Sequence, residues 1–114
     1  MAKIYSLLIS SLAIIAASTA FGACDFPREV TIPTGATATA DEMVDGQSAV
    51  KTYMAEMEAY LQCLDDEAAA LGEEQQTDET KSLHVSRYNA AVDAMENVAA
   101  QFNEQVRAYK EIND

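Results

Sequence analysis

The stretch Met54-Ala55-Glu56-Met57-Glu58-Ala59-Tyr60-Leu61-Gln62-Cys63-Leu64 decides the fold, because Met54, Met57, Leu61 and Leu64 recur at steps of three and four with mostly acidic or small residues between them. A strand would alternate every second residue, whereas this period belongs to a helix with one apolar stripe. The stripe extends back through Val50, Gln47 and Met43 and forward through Ala68 and Leu71. Steps alternating between four and three make a heptad seam, which is narrow and needs a partner to cover it. Thr39 stands three residues ahead of Glu42, with Asp41 between them, so a hydroxyl and a carboxylate can satisfy the open amides of a helix start. The spacing predicts helix 1 over about residues 40–74, with Gly46 and Gly72 as its weak points and no proline.

Residues 73–80 are polar throughout, and Thr77-Asp78-Glu79 supplies a cap followed by acids suited to a second helix start. Helix 2 is expected over about residues 78–112 after a turn at 75–77. Arg107 and Lys110 near its end complement the helix dipole. It carries its own heptad stripe: Val85, Tyr88, Val92, Met95, Ala99, Phe102, Val106 and Tyr109. If the chain folds back on itself, facing layers such as Met43 with Tyr109 and Leu64 with Tyr88 share one constant sum of residue numbers. The midpoint of that sum is Gln76, inside the polar stretch. The predicted fold is all-α, an antiparallel two-helix hairpin of coiled-coil type over residues 40–114.

The segment ahead of the hairpin, residues 21–39, reads as an extended arm, since it holds both prolines and two of the four glycines. Cys63 lies one residue outside the seam, on a side stripe with Tyr53 and Tyr60 that helix 2 alone leaves partly uncovered. The arm from Cys24 to Thr39 spans about 46–50 Å when extended, while the helix from Ala40 to Cys63 rises about 35 Å. The arm can therefore run back along helix 1, joined by a Cys24–Cys63 disulfide, with Phe26, Val30 and Ile32 available over the tyrosines. Closing a loop of about 39 residues is worth roughly 3–4 kcal/mol on the chain-entropy estimate.

Met1 to Lys3 and the apolar run Ile4 to Ala17 read as a cleavable secretion signal over residues 1–20, with cutting expected after Ala20 or Gly22. The run is too short for a stable membrane span, which needs about 20 apolar residues. Two cysteines in a small secreted domain favour a disulfide and an oxidising compartment, hence a periplasmic or secreted location. Ala20-Phe21-Gly22-Ala23-Cys24 also resembles a bacterial lipoprotein box, with Phe21 where that pattern usually has an aliphatic residue. Tethering through Cys24 is thus a competing expectation, because one sulfur cannot serve both purposes. Nineteen acidic residues against seven basic ones give a net charge of −12. Such a surface excludes nucleic acid and anionic lipid as partners, since both are met by a basic face.

The run Ile32-Pro33-Thr34-Gly35-Ala36-Thr37-Ala38-Thr39-Ala40-Asp41-Glu42-Met43, with Val50, Tyr53 and Tyr60-Leu61-Gln62-Cys63-Leu64, resembles short, uncharacterised exported proteins of Gram-negative bacteria. The resemblance covers about a third of the chain and implies export and a helical hairpin, but no activity.

Chemistry-bearing residues are few. His84, the single histidine, stands beside Lys81 and Arg87 with no nucleophile set around it, and reads as a solvated helix residue. Asp65, Asp66 and Glu67 with Glu73, Glu74, Asp78 and Glu79 place seven acids near the hairpin tip, yet they lack EF-hand spacing. Met43, Met54, Met57 and Met95 fall on the seams, where core packing accounts for them. No catalytic triad, phosphate-cradling glycine loop or zinc spacing occurs, so no enzyme activity, cofactor or metal is expected. The expected function is a non-enzymatic, acidic interaction or structural module, with Ala91, Val98 and Ile112 on the flank of helix 2 meeting a protein partner or a second copy. A binder of cations or basic ligands through the acidic tip is the alternative.

Overall fold

The computed structural model describes residues 24–114; the expected signal, its cleavage position and the first three residues of the arm lie outside the described residues. Two helices, α1 (Ala40–Ala69) and α2 (Asp78–Asn113), pack against each other, with a short 3-10 turn at Glu73–Gln75 between them. There is no strand among the described residues. Both helices start where their caps were expected. The Thr39 hydroxyl accepts from the Glu42 amide at 3.2 Å, and the Thr39 amide donates to the Glu42 carboxylate at 3.0 Å. At α2 the Thr77 hydroxyl accepts from the Thr80 amide at 3.2 Å, and the Thr77 amide donates to the Thr80 hydroxyl at 3.0 Å. Each start thus satisfies two amides that the helix itself leaves open.

Helix α1 ends at Ala69, short of the expected 74, because the backbone turns extended at Gly72 (φ −69°, ψ 161°). The linker is accordingly longer than the expected turn at 75–77. Its own groups hold it: the Gln76 side-chain amide donates to the Leu71 carbonyl at 3.1 Å, and the Thr80 hydroxyl donates to the Gln75 carbonyl at 2.9 Å. Helix α2 runs one residue past the expected 112.

The arm is the third layer. Cys24 and Cys63 are disulfide-bonded, with Cα atoms 5.7 Å apart. From there the arm follows the groove between the helices. Phe26 meets the Tyr60 ring edge-on at 5.2 Å between centroids, and Val30 packs on the core. Pro33 lies on Gly46 of α1, and Gly35 lies against α2, where its amide donates to the Gln105 side-chain carbonyl at 2.9 Å.

This third layer changes which face of α1 is buried. Met43, Val50, Met57 and Leu64 are buried as the seam requires, but their companions are Gly46, Tyr53 and Tyr60. Gln47, expected on the seam, is exposed, and Met54 and Leu61 are half-buried. One residue is about 100° of helix, so the arm draws the buried face towards its own side. Helix α2 answers with Ala91, which is fully buried in one cluster with Tyr53, Met57, Tyr60 and Leu64, while Val85 is 54% exposed.

Both glycines in the groove are there because backbone and ring come too close for a side chain. A Cβ on Gly35 would overlap the Gln105 carbonyl oxygen and sit 2.9 Å from the Tyr109 nitrogen. Neither is a flexible side-chain end, so the arm has to lift. Gly35→Ala is expected to lower stability by about 1–3 kcal/mol, the usual cost of overpacking, read as a lower urea midpoint. An unchanged midpoint would mean that the arm does not lie on α2 at this point.

Candidate functional site

The arm runs from its disulfide on Cys63 over Tyr60 and Gly46 of α1 to Gln105 of α2, away from the linker end of the helices. There a cleft of about 630 Å³ lies between the end of α1 and the start of α2. Leu64, 1% exposed, sits at its inner end. Ala68 and Leu71 line it from α1 and the linker, and Leu83 and Val85, 57% and 54% exposed, line it from α2. Ala68, Leu71 and Val85 belong to the two heptad stripes and Leu83 lies beside them, yet Leu83 and Val85 are left uncovered at this end.

Charged groups sit at this mouth. Glu67 accepts from the Arg87 guanidinium at 3.3 Å. The Tyr60 hydroxyl beside Arg87, and then Glu67, hold the guanidinium pKa above its usual value, so the cation is firmly kept. Glu67 also lies 3.3 Å from the Cys24 sulfur. This is a packing contact, since a disulfide sulfur has no proton to donate. His84 pairs with Asp65 at 3.3 Å and is half-buried rather than solvated as expected. An aspartate on an imidazole is two-thirds of a nucleophile-activating set. The hydroxyl lining the same cleft is that of Thr80, which donates to the Gln75 carbonyl and accepts from the Thr77 amide at the α2 cap.

The seven acids of the tip do not converge. Asp65 and Glu67 face His84 and Arg87, Asp66 accepts from the Gln62 amide at 3.0 Å, and Asp78 and Glu79 lie in the first turn of α2. Among the described residues no three His, Cys, Asp or Glu side chains come together as a metal-ligand group.

The expected contact flank of α2 fails at two of its three positions. Ala91 is fully buried inside the chain, and Val98 packs on the same core, leaving Ile112 at 60% exposure. The reason is the rotation already described: with the arm as a third layer, that flank of α2 faces inward. Sequence reasoning missed the tip cleft. Its signal was Leu83, an apolar residue off the stripe, next to basic groups three apart at Lys81, His84 and Arg87.

A second, more open cleft of about 900 Å³ runs between the arm and α1, lined in part by Phe26, Glu29 and Tyr53. Burial, and secondarily the Glu29 charge, push the Tyr53 phenol above its ordinary value of 10.0. Below that value both folded and unfolded chains hold the proton, and stability is unaffected. Above it the unfolded chain releases the proton first, so stability falls as pH rises, until the folded value is passed. Tyr53→Phe is expected to reduce this alkaline loss in denaturant titrations above pH 10; an identical alkaline slope in wild type and variant would count against it.

No helix among the described residues is long and apolar enough to cross a membrane. No family model, curated protein or solved structure matches this chain.

Proposed function

We propose that this chain is a non-enzymatic exported protein, an antiparallel helical hairpin with a strapped arm that serves as an interaction or structural module in the periplasm or outside the cell. It fits the short exported helical-hairpin proteins that its arm and α1 resemble. The observation that carries the reading is how the polar groups are used. His84 is on Asp65, Arg87 on Glu67, and Thr77 and Thr80 on the α2 cap, while Leu83, Val85 and Ile112 stand exposed. Reactive groups are committed to the fold, and apolar side chains are left for contact. The disulfide supports export, because such bonds persist in oxidising compartments. It also uses the Cys24 sulfur that lipid tethering would need.

Two measurements test the proposal. Intact-mass analysis of the protein released by osmotic shock should show loss of the leading 20 or 22 residues and of two hydrogens, with no acyl mass. Photo-crosslinking side chains placed at Leu83 and Ile112 in cells should give discrete adducts that are absent when placed at the exposed Asn97. Retention in the cytoplasm, or adducts indifferent to position, would overturn the reading.

A further inference from the structure

The tip cleft has a charge character unlike the rest of the molecule. The chain carries −12. The cleft lining holds two cations, Lys81 and Arg87, against one carboxylate, Glu67, which is +1 with the imidazole uncounted. Glu67 is occupied by Arg87, and Lys81 enters neither of the two ion pairs described at this end. The remaining lining is mainly apolar: Leu64, Ala68 and Leu71 on one side, Leu83 and Val85 on the other. Its volume of about 630 Å³ falls within the ~300–1,000 Å³ typical of clefts that take small molecules.

From this we infer that the tip cleft binds a single-chain anionic amphiphile, an alkyl carboxylate whose tail lies along Leu71, Leu83 and Val85 and whose headgroup meets Lys81. The charge pattern selects the head as well as the tail. Apolar walls alone would accept any alkyl chain, but an ammonium head would face the unpaired Lys81. Glu73, Glu74, Asp78 and Glu79 stand on the linker and first turn of α2 without lining the cleft, and they repel a multiply charged head. A monoanion fits best. A second copy of the chain fits poorly, since it would set one strongly acidic chain against another. The inference deepens the proposed module by naming a ligand class, and rests on that reading only in treating this end as a contact surface.

The test is titration of the disulfide-bonded protein with decanoate kept below micelle formation, followed by amide and methyl chemical shifts. Decanol and decyltrimethylammonium serve as probes with the same tail and a different head. Saturable one-to-one shifts centred on Leu71, Leu83 and Val85 are expected, with decanoate at least ten-fold tighter than decyltrimethylammonium. Leu83→Glu, at an exposed position that leaves the core intact, should abolish binding of decanoate and decanol alike. Lys81→Glu should weaken decanoate by ten-fold or more and leave decanol within two-fold. Equal affinity for the two charged heads, or decanoate binding retained in Leu83→Glu, overturns the inference. So does an unliganded dimer that Leu83→Glu dissociates, or contacts between Leu83 and the residues preceding Cys24, since each gives the cleft another occupant. Failure here with position-specific crosslinks intact would remove the ligand class and keep the module; the converse would remove the module alone.

Discussion

Replacing both cysteines, Cys24→Ser with Cys63→Ser, is expected to lower the unfolding free energy by about 3–4 kcal/mol. The bridge closes a loop with a sequence separation of 39. Without it the unfolded chain regains the freedom that the closed loop denies it, which is where most of the effect arises on the chain-entropy account. The folded state loses little directly. Phe26 on Tyr60, Pro33 on Gly46 and the Gly35 amide on Gln105 are still available to hold the arm. The variant should therefore remain helical at low denaturant but unfold at a much lower urea midpoint. For a domain of this size the loss is a large share of a total stability of about 5–15 kcal/mol. Hydrogen exchange should show where the freedom returns, with amides near Val30 losing protection before those in the middle of α1. A midpoint within experimental error of wild type would mean that the arm contributes no closed loop, and the three-layer packing would fall with it.

The second large effect belongs to Met57. Its side chain is 0% exposed and lies in the cluster formed by Tyr53, Tyr60, Leu64 and Ala91. Met57→Ala removes buried methylenes and leaves a cavity, at a cost of about 2–5 kcal/mol depending on how far the surroundings relax. Relaxation is limited here. Across the interface Ala91 has only a methyl group to offer, Cys63 next to Leu64 is tethered by the disulfide, and Phe26 of the arm holds Tyr60. The upper half of that range is expected, from the urea midpoint at unchanged m-value. Val85→Ala provides the contrast. Val85 sits on the heptad stripe of α2 as plainly as Met57 sits on that of α1, yet it is 54% exposed. It should cost within about 0.5 kcal/mol, as surface substitutions do. Similar losses at the two positions would restore a closed seam at the tip and remove the cleft.

That pair marks the limit of what periodicity can tell. The seven-residue repeat of Met43, Val50, Met57 and Leu64 correctly identified buried residues, because two turns of helix bring a residue back to the same face whatever it packs against. Gln47 and Val85 satisfy the same period and are exposed, while Gly46 and Ala91, which lie off the expected stripes, are buried. Period alone leaves the centre of the buried face uncertain by one residue, and a second packing element decides it. Tyr53, Tyr60 and Cys63 on the side stripe hinted at such an element, and the arm is where that hint led. The tip cleft was less legible. Nothing local says that Leu83 and Val85 stay uncovered next to the linker from Ala70 to Thr77, since this depends on where α1 stops and how Gln76 and Thr80 tie the linker down. His84 was misread for the same reason: its partner Asp65 is on the other helix, 19 positions away.

The amino-acid sequence by itself determined two long helices, their threonine caps, the extended arm and the pairing of Cys24 with Cys63. Each of these follows from local backbone chemistry or from the reach of a chain of known length. The tertiary structure alone decided that the arm lies between the helices, that Ala91 and Val98 turn inward, and that Leu83 and Val85 stay uncovered at the tip. Those outcomes depend on which surfaces compete for the same apolar face, and that competition is settled only when all three segments are packed together.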